Sequence, residues 1–376
     1  MRATCSAFGT VCGARGCGVR SGATTGSNPC RPGRSGPWRR PRWCKRSLKQ
    51  SVGLRSIRYL HERNTRSPPY SFAERGAAVS PEVLPLALPA DKLLLETPVG
   101  WVAVYRSAEG HAVAEVPLLL VHSVNAAASA IEMAPLFEHY RRSRTVWALD
   151  LPGYGHSDRA DRLYTPRLMT DAVLAVVRQM VKETGHASVD VLSLSLGGEF
   201  VARAQTEAPE RIRRVAMVSP TGFNARKPRR GEPESTLMQA GLYRWLTRSK
   251  WGEWIFRNLT RPAVIRYFLR RTFGSREIDE SLWRFAVQTA RQPGAHHAPL
   301  CFVSAGLFSA DIQTVYEAVH CPVWVSMATR GDFTNYQGRK TLEHRANWSF
   351  HAVEGGAMPY FEDVEAFTQR LDPFWR

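Results

Sequence analysis

A serine between an apolar run and a helix-like stretch is the residue of this chain best placed to do chemistry. In VDVLSLSLGGEF, the run leads directly into Ser195, and Gly197 follows two positions later. Such a turn lifts a hydroxyl above a sheet, and it needs small residues on both sides because the backbones come close. Ser193 and Gly197 meet that need. The pattern predicts Ser195 as a nucleophile, with N–H groups at the helix start available to an oxyanion.

Two further segments extend the pattern around this serine. LLLVHSVNAAAS precedes the serine turn, and ALDLPGYGHSDR lies between the two. In this order and spacing, the three segments resemble the α/β-hydrolase superfamily in its capped single-domain form, over about residues 92–372. The resemblance implies an oxyanion hole made by the N–H of Ser123 or Val124 and by that of Leu196. Most members have glycine at the position of Ser123.

The resemblance also implies an acidic residue late in the chain. No carboxylate follows VAMVSPTGF before Glu232, so the earlier of the two acid positions of the superfamily is empty. In PVWVSMATRGDF, Asp332 follows Gly331 and matches the later position. The resemblance therefore implies Asp332 as the acid of a catalytic triad. An aspartate in such a loop is also typical of a turn or a helix cap.

The loop that should carry the catalytic histidine, VEGGAMPYFED, carries none. Gly355, Gly356 and Pro359 keep the frame of the loop, and Ala357 stands at the histidine position. Serine is a poor nucleophile unless a neighbouring base takes its proton. Loss of one triad member lowers activity by roughly 10⁴-fold or more, because only the oxyanion hole and substrate binding still contribute.

Four histidines elsewhere in the chain are candidates for a substitute base. His122 and His156 follow the ends of predicted strands on the active face of the sheet. His296 and His297 lie where the chain returns from a helical insertion toward the sheet. For each of the four, a structural role such as anchoring a loop by hydrogen bonds is the alternative.

Three functions are compatible with these residues. The first is an enzyme that acts on a small apolar ester, amide or related acyl compound through Ser195, with Asp332 orienting an unusual base. The second is a pseudoenzyme that binds a small apolar ligand in a cleft without turning it over. The third is a non-hydrolytic reaction in which Ser195 and the oxyanion donors polarise a substrate. The serine turn favours an enzyme, and Ala357 favours the binding protein.

Short apolar runs alternate with helical segments from about residue 91 onward. Residues 92–97 and 102–105 are predicted to form a hairpin, because Pro98 and Gly100 lie between them. The later runs are LLLVHS, TVWALD, VDVLSLS, VAMVSP, PVWVSMA and WSFHAV. Apolar runs of this kind, separated by helices, are typical of a mostly parallel, doubly wound sheet with helices on both faces. The sequence thus predicts an α/β fold, in agreement with the α/β-hydrolase fold that the resemblance implies.

Local signals define one helix and one insertion. Thr165 is a plausible N-cap, Pro166 suits the first helical position, and Gly185 supplies the stop. Residues 224–308 interrupt the alternation of strands and helices with aromatic residues and arginines at helical spacing, and we predict an inserted helical cap within a domain spanning 76–376. We expect most of these aromatic side chains to form the core of the cap and some to face the cleft above the sheet.

The amino-terminal segment differs from the rest of the chain. Residues 1–80 hold 16 Lys and Arg and two acids, so about +14 of the formal charge of +18 lies there. The other 296 residues hold 35 bases and 31 acids. Five of the seven cysteines also lie in this segment, without a CxxC pair or a histidine cluster, so we predict neither a metal site nor a disulfide framework.

We expect residues 1–75 to form a basic, disordered tail. Three origins remain open: a wrongly chosen translation start, a transit peptide, or a nucleic-acid arm around RPGRSGPWRRPRWCKR. The first predicts a cytoplasmic protein, and the second predicts a plastid or a mitochondrion. No apolar run of about eighteen residues occurs, so no membrane span is predicted. The partner expected is a small-molecule substrate or ligand, with no cofactor, no nucleic acid and no assigned oligomeric state.

Overall fold

An eight-stranded sheet forms the centre of the protein. The computed structural model describes residues 83–107, 115–224, 228–248, 250–331 and 333–376, and only the backbone of Lys250. The predicted tail and its five cysteines therefore lie outside the described residues. The strands are β1 (Asp91–Thr97), β2 (Gly100–Arg106), β3 (Leu118–Val121), β4 (Val146–Leu149), β5 (Val189–Leu194), β6 (Ile212–Val218), β7 (Val323–Ala328) and β8 (Trp348–Val353). Their order in the sheet is β1-β2-β4-β3-β5-β6-β7-β8.

The pairing of the strands confirms a mostly parallel sheet. β1 and β2 form the antiparallel hairpin that the sequence predicts, and β2 also pairs antiparallel with β4. All the pairs from β4 to β8 are parallel. Every residue of β3, β4 and β5 is buried, which explains their uninterrupted apolar sequences. The carboxyl ends of these parallel strands meet at one edge, where ligands bind in open α/β sheets.

Helices cover both faces of this sheet. Those in the described residues are α1 (Ala134–Tyr140), α2 (Pro166–Thr184), α3 (Gly197–Glu207), α4 (Ala240–Arg248), α5 (Lys250–Leu259), α6 (Pro262–Phe273), α7 (Glu280–Thr289), α8 (His297–Val303), α9 (Ile312–Ala318) and α10 (Val364–Trp375). The predicted boundaries of α2 are confirmed, because the Thr165 side chain accepts the N–H of Leu168 and Gly185 ends the helix with φ +73°. Among them, no helix combines the length and the apolar character needed to cross a membrane.

Each face of the sheet buries its own apolar cluster. On one face, Met169 and Val173 of α2 pack with Phe200 of α3 against the strands. On the other face, Phe137 of α1 and Phe367 of α10 do the same. Burial of a side chain of this size stabilises the fold by about 1.5–3 kcal/mol. The strands are therefore held on both sides, and the loops at their carboxyl ends start from fixed positions.

The cap consists of α4 to α8, which lie between β6 and β7. Phe256 and Phe285 are buried as predicted. The expectation that most of the cap aromatics form its core is nevertheless wrong. The reason is that α4, α5 and α6 carry aromatic residues on two faces, and helical spacing alone does not tell the packed face from the outer one. The exposed side chains are those of Trp245, Trp251, Trp254, Tyr267 and Phe268.

Candidate active site

Ser195 lies immediately after β5, in the tight turn that leads into α3. Its φ is +52°, in the left-handed region where a residue with a side chain is strained. Its N–H donates to the carbonyl oxygen of Val218 at 2.8 Å, which fixes the turn to the end of β6. The residue is partly exposed, so a hydroxyl group is presented at the edge of the sheet where the parallel strands end.

The turn depends on a glycine two residues after the serine. A Cβ atom built on Gly197 would lie 2.5 Å from the carbonyl oxygen of His122, closer than Cβ atoms approach other atoms in proteins. A Cβ atom built on the next residue, Gly198, would meet its nearest neighbours at 3.5 Å, an ordinary contact. Gly197 therefore allows α3 to start directly against the end of β3, whereas Gly198 has room for a methyl group.

The three N–H groups predicted as oxyanion donors differ in whether they already have an acceptor within the protein. The N–H of Ser123 donates to Oε2 of Glu132 at 2.8 Å, so it already has an acceptor within the protein. Throughout the described ranges, the N–H groups of Val124 and Leu196 have no protein acceptor. The resemblance assigns both of these donors, one after β3 and one at the start of α3, to an oxyanion hole.

Glu132 shapes the loop after β3, and the sequence did not predict this role. Its side chain is buried, and its Oε1 accepts a hydrogen bond from Nδ2 of Asn125 at 2.8 Å. Its own carbonyl oxygen accepts the hydroxyl of Tyr360 at 2.9 Å, which connects the loop to the segment after β8. The available signal was an acid inside the apolar stretch ASAIEMAPLF, because a buried carboxylate needs donors around it.

His122 connects two strand ends and has no ring nitrogen left for a serine. Its Nε2 accepts the N–H of Leu151 at 2.9 Å, and its Nδ1 donates to the carbonyl oxygen of Ser123 at 2.5 Å. A nitrogen that accepts a backbone N–H carries no proton, so the imidazole is neutral with its hydrogen on Nδ1. The structure gives His122 the anchoring role that was the alternative to catalysis.

His156 has a similar anchoring role on the other side of β4. Its Nδ1 lies 2.8 Å from the hydroxyl of Tyr105, and its Nε2 donates to the carbonyl oxygen of Leu84 at 3.1 Å. Burial lowers the pKa of His156, and the nearby carboxylate of Asp150 partly opposes this shift. The ring fastens the loop after β4 to the segment that precedes β1, and it is not hydrogen-bonded to Ser195.

The rings of His296 and His297 lie against each other at the start of α8, with centroids 4.0 Å apart and planes tilted by 40°. Nδ1 of His297 lies 3.3 Å from a carboxylate oxygen of Asp161. The ring of His296 lies near Phe256 of α5, and burial together with the adjacent His297 lowers its pKa. In the described part of the chain, no hydrogen bond joins either ring to Ser195.

Ala357, at the position of the expected histidine, is buried against the cap. Its N–H donates to the carbonyl oxygen of Thr272 at 2.8 Å. A Cβ atom built on the preceding Gly356 would lie 2.5 Å from the carbonyl oxygen of Phe273. The carboxyl end of α6 therefore packs directly on the loop after β8.

The predicted acid, Asp332, lies outside the described residues. Gly331, just before it, has φ +69°, and a Cβ atom built there would collide with the carbonyl oxygen of Thr272. The loops after β7 and β8 thus both meet the same end of α6. The resemblance stated above assigns the acid and the histidine position to these two loops, and the carboxyl end of α6 packs against both of them.

Two cavities lie near the carboxyl edge of the sheet. The first, of about 10 Å³, lies between the loop after β3 and the cap and has room for roughly one water. The second, of about 280 Å³, lies between β8 and α10. Neither is lined by Ser195 or by a candidate histidine. The first cavity is lined by Ala126, Ala127, Ala128, Gly153, Tyr154, Arg159, Thr289, Ala290 and Ala295.

Within the described ranges, no group of His, Cys, Asp or Glu is arranged to hold a metal ion.

Four strands of the sheet, the serine turn and the first cap helix match a known family. A family model described as the alpha/beta hydrolase fold matches residues 116–248, which include β3 to β6 and Ser195. The chain therefore has the α/β-hydrolase fold, and residues 116–248 match the sequence family of that fold. The resemblance stated from the sequence is confirmed at this level, and the roles of the individual site residues stay predictions.

Solved structures of α/β-hydrolases superpose on most of the chain. Cfl2 from Burkholderia cenocepacia gives a TM-score of 0.58 at 18% identity, over 76% of this chain and 95% of that protein. The 2-hydroxy-6-oxo-6-phenylhexa-2,4-dienoate hydrolase from Rhodococcus sp. strain RHA1 gives 0.57 at 17% identity, over 75% and 98%. Identities of this size establish a shared fold and leave the reaction open.

A sequence relative is similar over a short segment only. The chain is 38% identical over 92 residues to the dihydrolipoyllysine-residue acetyltransferase component of the acetoin cleaving system from Cupriavidus necator. The segment covers 24% of this chain and 22% of that protein, so the chain spans about a fifth of the relative's length. A similarity over so short a segment carries no activity across.

Proposed function

We propose that this protein binds a small apolar acyl compound at Ser195 and hydrolyses it slowly or not at all. The observation that carries the proposal is that no histidine in the described residues is hydrogen-bonded to Ser195. His122 and His156 have both ring nitrogens occupied by other groups. Without a base, the serine hydroxyl keeps its proton at neutral pH and is a poor nucleophile.

The groups that remain suit the recognition of a carbonyl compound. The N–H groups of Val124 and Leu196 have no acceptor among the described residues. Paired backbone donors beside a serine hydroxyl are the arrangement that binds the oxygen of an ester, amide or thioester. The Rhodococcus neighbour is named as a hydrolase of an oxo-dienoate, which supports a carbonyl ligand at this edge of the sheet.

The reactivity of Ser195 is the direct test. The full-length protein is incubated with a fluorescent fluorophosphonate beside its Ser195→Ala variant and an intact serine hydrolase. We expect labelling of the wild type to be slower than that of the intact enzyme by roughly 10³-fold or more, because the general base is missing. Fast labelling that Ser195→Ala abolishes would contradict the proposal and would show an activated serine.

Ligand binding is measured on the wild type and on the Ser195→Ala variant. A thermal shift series with non-hydrolysable ketone analogues of acyl esters reports occupancy, because a ligand that binds only the folded state raises its Tm. We expect a stabilisation that Ser195→Ala retains in part, since the backbone donors are unchanged. A series in which no analogue changes the Tm of the folded wild type would remove the support for an acyl ligand.

A second candidate is a working serine hydrolase that uses His296 as its base. In the described structure the ring nitrogens of His296 have no hydrogen-bond partner, and the lowered pKa keeps the imidazole neutral and able to accept a proton at pH 7. His297 differs because its Nδ1 is paired with Asp161. The two residues therefore form a matched pair for substitution.

His296→Gln and His297→Gln separate this candidate from the first. If His296 is the base, fluorophosphonate labelling of Ser195 falls by roughly 10²-fold or more in His296→Gln and changes little in His297→Gln. Equal labelling rates in the wild type and both folded variants would exclude His296 and would leave the binding protein as the function.

A further inference from the structure

Five aromatic side chains of the cap are exposed on three consecutive helices. Their exposed fractions are 51% for Trp245, 57% for Trp251, 55% for Trp254, 62% for Tyr267 and 47% for Phe268. They lie on α4, α5 and α6, and α5 contacts both of the other helices. A fully covered aromatic side chain buries about 150–250 Å², so five rings that are about half exposed leave on the order of 500 Å² of aromatic surface in total, comparable to the largest apolar patch of a typical monomer.

These helices cannot turn the exposed rings inward, because their opposite faces are already packed. Leu246 of α4, Phe256 of α5 and Ile265 of α6 are buried in the cap. On the outer side, Trp251 and Trp254 are one helical turn apart and meet edge to face, with ring centroids 5.7 Å apart. The outer aromatic rings are therefore held in place toward the surroundings of the protein.

The same helices carry a large excess of positive charge. Residues 240–276 hold nine Lys and Arg and one acid, Glu253, a net charge of +8. Arg257 pairs with Glu253, and Arg266 pairs with Glu280. Other arginines of this segment have no carboxylate at ion-pair distance among the described residues. They are Arg244, Arg248, Arg261, Arg270 and Arg271.

We propose that the exposed side of α4, α5 and α6, called here the outer cap face, binds the surface of an anionic lipid bilayer. Trp and Tyr rings prefer the level of the lipid headgroups, where an apolar ring and a polar edge are both satisfied. Arginines beside them are attracted to anionic headgroups. Helices with basic residues and exposed aromatic rings lie in the plane of such an interface.

Charge and shape argue against other occupants of the outer cap face. A second copy of the chain would bring the same basic segment, residues 240–276, so the two faces would repel each other. Single-stranded nucleic acid is bound in a groove that follows its backbone, whereas these rings project from the outer sides of helices. The membrane proposal is independent of the acyl site, because none of its residues takes part in that site.

Vesicle co-sedimentation of the full-length protein tests the proposal. Vesicles of phosphatidylcholine alone are compared with vesicles that contain about one third phosphatidylserine. Two variants divide the outer cap face into its apolar and basic parts: Trp251→Gln with Trp254→Gln, and Arg270→Gln with Arg271→Gln. We expect the wild type to prefer anionic vesicles, and each double variant to weaken this binding about tenfold or more.

Matched controls separate the cap from the rest of the chain. Arg339→Gln with Lys340→Gln removes the same two charges from another surface, and Trp101→Gln removes an exposed ring from β2. Both controls should bind anionic vesicles within about twofold of the wild type. Circular dichroism of every variant confirms that it is folded, which is expected because the substituted side chains are exposed or only partly buried.

Four results would overturn the proposal. Unchanged vesicle binding in both cap variants would assign the binding to the basic segment 1–80. Equal binding to phosphatidylcholine vesicles would remove the role of charge. A wild type that is dimeric, with monomeric tryptophan variants, would make the outer cap face a contact between copies. Binding of a poly(U) oligonucleotide that the variants lose, without any change in vesicle binding, would make it a nucleic-acid surface.

Discussion

The serine turn after β5 and the loop after β8, which the resemblance to α/β-hydrolases assigns to one site, differ in how much of the expected arrangement they have. The turn has Ser195 in its strained conformation, Gly197 against the end of β3, and an N–H on Leu196 that has no acceptor among the described residues. The loop has Ala357, whose N–H is bonded to Thr272 of the cap. Packing and backbone shape maintain the turn, so it does not depend on the presence of a base.

Ala357→His is the change expected to have the largest effect on this comparison. It returns an imidazole to the loop that carries the base in the superfamily. We expect fluorophosphonate labelling of Ser195 to become at least about 10²-fold faster. Ala357→Gln is the control, because its side chain has a similar size and can form hydrogen bonds but has no basic nitrogen. A folded histidine variant without faster labelling would show that α6 keeps this loop away from the serine.

Gly197→Ala tests the close packing of the serine turn after β5. The added methyl group would collide with the carbonyl oxygen of His122, which belongs to the backbone and cannot move freely. We expect the free energy of unfolding to fall by about 2–4 kcal/mol in urea titrations. Gly198→Ala is the matched control, since its added methyl group has ordinary contacts and alanine in a helix is expected to add up to about 1 kcal/mol. Equal losses at the two positions would contradict the close approach.

Glu132→Gln tests whether the loop after β3 depends on a carboxylate. The two oxygens of the buried carboxylate accept hydrogen bonds from the N–H of Ser123 and from Nδ2 of Asn125. A glutamine has an NH₂ group in place of one of these oxygens, so one of the two hydrogen bonds would be lost and two donors would face each other. We expect a loss of about 1–3 kcal/mol in unfolding free energy. Glu343→Gln, at an exposed pair with Arg339, should change it by less than about 1 kcal/mol. Similar losses in the two variants would argue against a special role of Glu132.

The smallest expected effect is on the pH dependence of stability. Burial lowers the pKa of His156, so the unfolded chain takes up a proton at this residue before the folded chain does. Stability is therefore full above the unfolded pKa of about 6.5 and decreases as the pH falls from there to the lowered pKa. We expect His156→Gln to show a flatter decrease in urea titrations across this window. An unchanged slope would assign the effect to other groups.

The fold could be predicted from the sequence because the signals for it are local. Each apolar run corresponds to a strand, since a strand buried on both faces needs apolar residues throughout. Thr165, Pro166 and Gly185 set the ends of α2 by capping interactions that span only a few residues. A sequence contains this kind of information within a short window.

The state of the candidate site could not be predicted, because it depends on contacts between distant residues. Whether His122 is free is decided by Leu151, 29 positions later, and whether the N–H of Ser123 is free is decided by Glu132. The packing of α6 on Ala357 brings together residues 85 positions apart in the sequence. The exposure of the cap aromatics likewise depends on which helix face is covered, and periodicity does not specify this.

The cavity of about 10 Å³ between the loop after β3 and the cap has a kinetic consequence. Ser195 does not line it and it has room for about one water, so an acyl compound could reach the serine by this route only after residues 289–295 separate from the loop. When such an opening step precedes association, the observed binding rate stops increasing with ligand concentration and levels off at the opening rate. The apparent affinity of the site then reflects the fraction of time for which the cap is open as well as the contacts made with the ligand.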